Sequence, residues 1–456
     1  MAFHQFLVGT EFPDVAFFSI LGMVATLVLF AVDDYRCFSP VAMFSLMAMV
    51  SYPIAAYLNL TLDCPIVRAD LWAQAPKALA GYVAGVLASA AGVKVWRFLH
   101  LGKETGHSPK RWITTRSFNF TLVSIVFVVL ILRLKLGVYF HSSIASFNFE
   151  NAAYLNLCEH LIWLAYCGIF LQVYRYTVTH SRNDLGLSVI FMSLPVLLFL
   201  PSGSRMRAFG YLPILGMFYL HYERRFRLQV IAVIGVLLVS SFLVVAFDSY
   251  RGIKGLVDAR PEERYLAFRS AIEQAREDRH SSIKVLVWRL SDFASTGAIV
   301  ALTPERFQFR LFEGMSSWWQ IFVPGVLRPK DSDFNFGEGA NAALDYGIST
   351  SESSSSPVML IGDIYRRFGW SGVLLCMFIA GYLLKSFESR ILKENGLFVV
   401  VFTVLFYRFL FLLYAGSLLS AFTAVARDVF LIYFISKGIC LLAKRTGSVE
   451  PASLYR

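Results

Sequence analysis

The sequence predicts an all-α polytopic membrane protein. Apolar residues occupy 57% of its 456 positions and charged residues only 16%, whereas soluble domains average about 45–50% and about 25%. Runs of about 20 apolar residues, long enough to cross a bilayer, recur along the chain. One long polar stretch, 248–367, interrupts them, and no linker divides the rest. We therefore expect a single integral membrane domain over 1–456 with a large, partly helical loop at 248–367.

The apolar runs predict about 11 transmembrane helices. Most connections between them are short, and only 201–205 separates the sixth from the seventh. In chain order the predicted spans are 14–32, 39–60, 71–93, 118–138, 153–174, 185–202, 206–222, 228–247, 368–386, 397–415 and 418–441.

Lys and Arg predict the orientation, because short cytoplasmic loops are enriched in both. The basic connection 94–116 should be cytoplasmic. Strict alternation then places the loop 248–367 on the opposite face, the periplasm of a Gram-negative cell, and predicts a multi-pass protein of the bacterial inner membrane. No cleavable signal peptide is expected, because the N-terminus lacks a basic region and a small-residue cleavage site. The other basic connections fall on the cytoplasmic side, at 175–182, 224–227, 385–393 and 444–445.

The net charge of +11 follows from this basic bias, and it does not indicate nucleic-acid binding. The aromatic residues lie mostly in apolar runs and not on a basic stacking surface. The 6 cysteines include no CxxC pair, so neither a disulfide framework nor a zinc site is predicted. No cofactor is expected.

Two basic sites contradict the charge rule. Arg205 and Arg207 lie at the non-cytoplasmic turn between spans six and seven, and Arg366 and Arg367 lie at the non-cytoplasmic start of span nine. Ionisable residues at membrane depth are usually paired and functional. The alternative is that these arginines reach lipid phosphates.

The first half of the loop, 258–290, has the spacing of an amphipathic helix with a solvated charged face. Arg289 differs because it lies inside the apolar run 285–293. A buried arginine needs an anionic partner. That partner is Asp292 in a structural interpretation and a substrate phosphate in a functional one.

The second half of the loop combines aromatic, basic and small polar residues. Trp318 and Trp319 suit either the membrane interface or the face of a sugar. Arg328 and Lys330 lie among prolines on a turn, where two cations could bind a diphosphate. The Gly-, Asn- and Ser-rich stretch 335–356 is either a flexible linker or an ordered re-entrant segment that binds sugar hydroxyls.

A helix is predicted to begin near Pro357 and to run through Asp363 into span nine. Asp363 is three and four residues before Arg366 and Arg367, so the three side chains share a face. One interpretation is a structural ion pair. The other is a carboxylate base oriented by arginines that also hold phosphate.

At these residues the chain resembles the Wzy-type oligosaccharide repeat-unit polymerases. The resemblance covers 318–386, and Gly203-Ser204-Arg205 is similar to a basic turn of such proteins. The family's usual glutamate is Asp363 here, its usual asparagine before Phe-Gly is Arg367, and the tryptophan of its Trp-Pro is replaced by Leu327-Arg328. The matching series is Ile321-Phe322-Val323-Pro324, Arg328-Pro329-Lys330, Thr350-Ser351, Ser356-Pro357 and Asp363-x-Tyr365-x-x-Phe368-Gly369-x-x-Gly372.

The resemblance implies a metal-independent glycosyltransferase of the GT-C type that uses an undecaprenyl-diphosphate-linked glycan as donor and acceptor. Charge on the leaving diphosphate would be met by Arg205, Arg289, Arg328 and Arg366. Asp363 is the candidate general base, with Glu338 and His280 as alternatives. Chain-length regulators or polysaccharide export proteins are implied as partners. The remaining residues assigned to substrate binding are Arg207, Lys330, Thr350, Ser351, Tyr365 and Arg367.

Three other functions fit the same pattern. An O-antigen ligase would use the same donor with a different acceptor. A flippase or other transporter would be expected to show internal repeats and helices broken at the membrane midplane, and we find no repeat. A non-enzymatic assembly component would need no single essential arginine.

Overall fold

The computed structural model describes part of the chain. The described ranges are 13–33, 39–62, 73–100, 127–132, 181–199, 291–313, 345–348 and 359–393. Single described positions are 135, 169, 170, 172, 173, 176, 263, 266, 269, 270, 273, 284 and 287.

Within these residues the secondary structure is helical. The chain divides into two compact units, of which the first comprises 1–107, 284–393 and 408–427 and the second 108–283, 394–407 and 428–456. The helices are α1 (Pro13–Val32), α2 (Pro40–Met49), a π-helical segment (Val50–Ile54), α3 (Ala55–Leu62), α4 (Ala75–Leu99), α5 (Arg182–Phe199), α6 (Asp292–Leu302) and α7 (Leu360–Lys393).

Four of the described helices are long and apolar enough to cross a membrane, which is consistent with the predicted membrane-protein class. They correspond to predicted spans one, two, three and nine. The helix predicted to run through Asp363 into span nine forms as α7, which begins at Leu360 and is broken at Gly369. The predicted start near Pro357 lies outside the described residues. A helix, α5, forms where span six was predicted, but it is not among these four. The candidates are Pro13–Val32, Pro40–Leu62, Ala75–Leu99 and Leu360–Ser389.

The remaining predicted spans lie outside the described residues. Within the predicted amphipathic stretch 258–290, the described positions are helical. Arg269 donates from Nε to Glu273 Oε1 over 3.0 Å, and both side chains are mostly exposed. This pair is the solvated charged face that the spacing predicted. Arg289 itself lies outside the described residues.

In the first unit, α1, α4 and α7 run in the same direction. Arg97 at the end of α4 and Lys385 near the end of α7 both reach Asp33, directly after α1. Nearer the starts of the helices, Thr26 bonds to Tyr82. Strict alternation of the predicted spans requires spans one, three and nine to be parallel, and the contacts agree with it.

Helices α4 and α7 approach each other closely because glycines face the contact. A Cβ on Gly92 would lie 2.1 Å from the Phe378 carbonyl oxygen, and one on Gly381 would lie 2.1 Å from the Ser89 carbonyl oxygen. Small residues permit such contacts between membrane helices, where interhelical hydrogen bonds also contribute. Ser89 Oγ donates to the Met377 carbonyl over 2.8 Å.

The short helix α6 belongs to the polar loop of the sequence, yet it is buried in the first unit. Its Thr296 is fully buried and hydrogen-bonds through Oγ1 to Tyr52 Oη at 2.7 Å. Asn59 Nδ2 donates to Ser291 Oγ just before α6, also at 2.7 Å. Polar groups inside a membrane bundle must be satisfied by neighbouring side chains. Part of the loop therefore belongs to the helical core.

A buried ionic cluster holds the C-terminal ends of the parallel helices together. Lys385 Nζ lies 2.7 Å from Asp33 Oδ1 and 2.7 Å from Glu388 Oε2, and Arg97 Nη2 lies 3.7 Å from Asp33 Oδ1. Ser39, the N-cap of α2, donates a short hydrogen bond to Asp33 Oδ2. Burial, with repulsion from Glu388 as the next cause, raises the pKa of the Asp33 carboxyl.

In the second unit, α5 carries a local polar contact. Ser188 Oγ donates to the Asp184 carbonyl over 2.7 Å, and both residues are buried. Gly186 on the same helix has no atom within 4 Å of its added Cβ position. It therefore provides a comparison for the close-packed glycines of α4.

Replacing Gly92 with alanine should destabilise the protein, because the new methyl group would meet the backbone of α7. Overpacking of this kind costs about 1–3 kcal/mol, and contact with backbone places Gly92→Ala at the upper end. Thermal unfolding of the purified full-length protein in detergent measures the effect. Gly186→Ala is the control and should leave the unfolding temperature unchanged or slightly raised, because alanine favours helix. Equal unfolding temperatures for Gly92→Ala and wild type would contradict the close approach.

Replacing Lys385 with methionine should cost about 3–5 kcal/mol, because it leaves the carboxylates of Asp33 and Glu388 buried without their shared cation. Adding Asp33→Asn should restore part of the loss. The same unfolding measurement applies. Lys77→Met, at an exposed position of α4, should change stability by no more than about 0.5 kcal/mol. A Lys385→Met protein as stable as the Lys77→Met control would show that the cluster does not hold the helix ends.

Candidate functional site

The candidate site is a break in α7 at Gly369. Its backbone has φ 65° and ψ −161°, a conformation that glycine adopts without steric strain. In an unbroken helix the carbonyls of Arg366 and Arg367 would accept hydrogen bonds from amides four residues later. Here they accept from the amides of Arg310 and Leu311, at 3.1 Å each. A non-helical segment after α6 thus satisfies the backbone at the break.

Three charged side chains are buried immediately before the break. Arg366 reaches Asp363 Oδ1 from both Nε and Nη2 at 2.6 Å, and Arg367 Nε lies 3.7 Å from the same oxygen. All three side chains are 0% exposed. The predicted sharing of a helix face is confirmed by these distances.

Arg367 also binds the segment that crosses the break. Its Nη1 donates to the carbonyls of Glu313 and Leu311, at 2.8 Å and 3.3 Å. Residues 311 and 367 are therefore joined in both directions, since the Leu311 amide bonds to the Arg367 carbonyl. Charged donors make stronger hydrogen bonds than neutral ones. This pairing fixes the segment against α7.

Tyr365 joins the other side of the site. Its hydroxyl donates to the Thr303 carbonyl over 3.3 Å, and the Thr303 hydroxyl lies 2.9 Å from Tyr346 Oη. The Tyr365 ring lies 4.5 Å from the ring of Trp370 and 6.1 Å from that of Phe309. Tyr365 is itself buried, so in this arrangement its role is to hold Thr303, Phe309 and Trp370 in position.

The structure brings together four of the residues that the sequence assigned to the site: Asp363, Tyr365, Arg366 and Arg367. The rest of the assigned residues, and the two alternative bases, stay predictions because they lie outside the described part of the chain. They are Arg205, Arg207, Arg289, Arg328, Lys330, Thr350, Ser351, Glu338 and His280.

Sequence reasoning missed the contribution of the segment 303–313. Its Arg310 forms a half-exposed pair with Asp345, Nη2 to Oδ2 over 3.3 Å, and Leu311 has φ 42°. Positive φ is uncommon for a residue other than glycine, asparagine or aspartate. The sequence signal available was the alternation of aromatic and polar residues at 306–310, which indicates a partly buried segment but not its partner.

The geometry limits what Asp363 can do in the arrangement described. Its carboxylate is enclosed and receives hydrogen bonds from Arg366, so accepting a substrate proton would first require this pair to open. Of the two interpretations from the sequence, the described geometry is that of the ion pair. Among the described residues, no three His, Cys, Asp or Glu side chains form a group that could hold a metal, and metal independence stays a prediction.

Comparison with protein-family models, curated proteins and solved structures gives no match to this chain. The fold and site define a helical protein that has four candidate membrane-spanning helices and a buried Arg–Asp cluster at a broken helix.

Removing Arg367 should loosen the segment that crosses the break. Each hydrogen bond from a charged group contributes about 1.5–3 kcal/mol, so Arg367→Ala should speed amide exchange in 304–313 by roughly tenfold or more. Hydrogen–deuterium exchange with mass spectrometry measures this. Arg306→Ala is the control, since Arg306 is exposed on the same segment and its guanidinium lies over the Phe307 ring. Unchanged amide exchange in Arg367→Ala would contradict the conclusion that the Arg367 guanidinium holds this segment against α7.

Proposed function

We propose that this chain is a membrane glycosyltransferase of the GT-C type. It polymerises undecaprenyl-diphosphate-linked oligosaccharide repeat units, for O-antigen or exopolysaccharide, at the periplasmic face of the bacterial inner membrane. The supporting observation is the pair of arginines buried beside Asp363 immediately before the break in α7. This cluster lies within 318–386, the stretch that resembles Wzy-type polymerases, although Asp363 and Arg367 replace that family's usual glutamate and asparagine.

The reaction joins two lipid-linked glycans. A sugar hydroxyl of the acceptor attacks the anomeric carbon of the donor, the bond from that carbon to the diphosphate oxygen breaks, and the hydroxyl proton passes to a base. Undecaprenyl diphosphate leaves with the bonding electrons. Because negative charge develops on the diphosphate, fixed cations near it lower the barrier. Arg366 is the described residue suited to this role, with Arg205, Arg289 and Arg328 proposed beside it.

The position of the break supports chemistry on a lipid-linked substrate. Residues 368–384 contain no Asp, Glu, Lys or Arg and would extend about 25 Å as helix, close to the hydrocarbon thickness of about 30 Å. The Arg–Asp cluster therefore lies at one boundary of the apolar stretch. A diphosphate attached to a membrane-embedded lipid would lie at the same depth.

A second candidate is a transporter of the same lipid-linked oligosaccharide. Transporters have helices interrupted by Gly or Pro near the midplane, and Pro53 lies in a π-helical segment within the span Pro40–Leu62. The break at Gly369 differs, because it lies at the end of a charge-free stretch and not at its middle. That placement favours chemistry at the boundary over passage through the bundle.

Deleting the gene in its bacterium should remove long glycan chains while single repeat units remain attached to their acceptor. The Arg205→Ala protein, expressed in the deletion strain at the wild-type level, should restore few long chains. Removing one fixed cation at the site should lower the polymerisation rate by roughly 100-fold or more. Glycan length on gels measures both effects. Arg182→Ala is the matched control, since Arg182 is exposed at the start of α5, and it should restore full-length chains.

The other outcomes identify the rival functions. Polymer that stays on its lipid carrier in the deletion strain indicates a ligase, and loss of all attached units indicates a transporter. Full-length glycan made by the Arg205→Ala protein would contradict the proposed site.

A further inference from the structure

The segment after α6 exposes an unusual group of apolar side chains. Phe312 is 70% exposed, Leu311 55% and Phe309 39%. We refer to these three residues as the apolar tip. Single exposed apolar residues are ordinary on protein surfaces, but a contiguous group of them indicates an interaction site.

The apolar tip is held in place by the backbone of α7. The amides of Arg310 and Leu311 bond to the carbonyls of Arg366 and Arg367, and the Arg367 guanidinium holds the carbonyls of Leu311 and Glu313. Leu311 has φ 42°, a conformation disfavoured for a residue with a large side chain. Backbone strain of this kind persists only where surrounding contacts impose it, and it is often functional. The tip therefore presents its side chains in a fixed direction.

The apolar tip lies at one end of the charge-free stretch of α7. The Phe312 ring is 5.2 Å from the ring of Phe368, the first residue of that stretch. The opposite end is marked by Lys385 in its ionic cluster. Aromatic side chains are enriched at the level where lipid headgroups meet acyl chains.

The tip also continues an exposed apolar surface of α7. Trp370 is 37% exposed, Leu374 46% and Leu375 60%. On a helix of sufficient length and apolarity to cross a membrane, such residues face acyl chains. The lipid-facing surface thus extends from the span to the tip without an intervening charge on α7.

We propose that the apolar tip inserts into the boundary between phospholipid headgroups and acyl chains, and so fixes the depth of the break in α7. Phospholipid suits this surface better than an acidic or basic partner, because Glu305, Arg306, Arg310 and Glu313 around the tip sum to no net charge. The inference does not depend on the glycosyltransferase proposal, since it concerns depth in the bilayer and not the reaction.

Photo-crosslinking tests the proposal on the full-length protein. A benzophenone amino acid is placed at Phe312, in nanodiscs of equal amounts of phosphatidylethanolamine and phosphatidylglycerol, and adducts are identified by mass spectrometry. Position 375, exposed on the span, is the positive reference. Gln308, exposed and polar on the same segment, is the matched comparison. Leu311 provides a second reporter position if the protein with the substituted Phe312 is poorly folded.

Phospholipid adducts at position 312 or 311 should exceed those at position 308 severalfold and approach those at position 375. Equal lipid adducts at 308 and 312, or lipid adducts at 375 alone, would overturn the proposal. An adduct from position 312 to another segment of this chain or to a second copy would also overturn it, because it would show that protein covers the tip.

Discussion

The described architecture depends on the way in which the backbone of α7 is completed at its break. A helix opened inside a membrane protein exposes carbonyls that lipid cannot satisfy, and each unsatisfied group costs several kcal/mol. The amides of Arg310 and Leu311 supply the missing donors, and the Arg367 guanidinium donates to the carbonyls of Leu311 and Glu313 in the same segment. Because these contacts connect residues about 55 positions apart in the chain, the start of α7 cannot form in this shape without the segment that follows α6. This pairing positions three features of the site: the charged cluster, the aromatic rings around Tyr365 and the apolar tip.

A second constraint operates at the opposite end of the parallel helices. Asp33, Arg97 and Lys385 come from three different helix ends and meet in one buried cluster. Between this cluster and the one before Gly369, α7 carries no charge, and its glycine-mediated contact with α4 allows few other registers. A shift of one residue would place a Cβ or a larger side chain against backbone at Gly92. The close glycine contacts in the middle of α7 and the ion pairs at both ends of its charge-free stretch therefore determine together how α7 is aligned along α4.

Local and periodic features of this fold could be read from the sequence, whereas non-local features could not. Apolar runs of sufficient length predicted the helices at α1, α4 and α7, and the spacing of Asp363, Arg366 and Arg367 predicted their common face. Gly81 and Gly85, four residues apart in an apolar run, form a small-residue pattern that indicates close helix packing without identifying α7 as the partner. The burial of α6 was not predicted, because its charged neighbours give the loop a polar average. The hydrogen bond from the Arg310 amide to the Arg366 carbonyl could not be predicted either, since backbone hydrogen bonds do not depend on the side chains involved.

The buried ion pair has a consequence for any reaction at this site. Arg366 and Asp363 are already removed from water, so much of the desolvation penalty for the arginine is met during folding. An anionic diphosphate reaching Arg366 would then replace one anionic partner of the arginine with another. Displacement of the carboxylate by phosphate would also free Asp363 to accept a proton, which its present hydrogen bonds oppose. Under the proposed polymerase function, substrate binding and generation of the base are thus coupled through a single arginine. Under that proposal, the fully buried Asp363 acts as a base only after its ion pair with Arg366 opens.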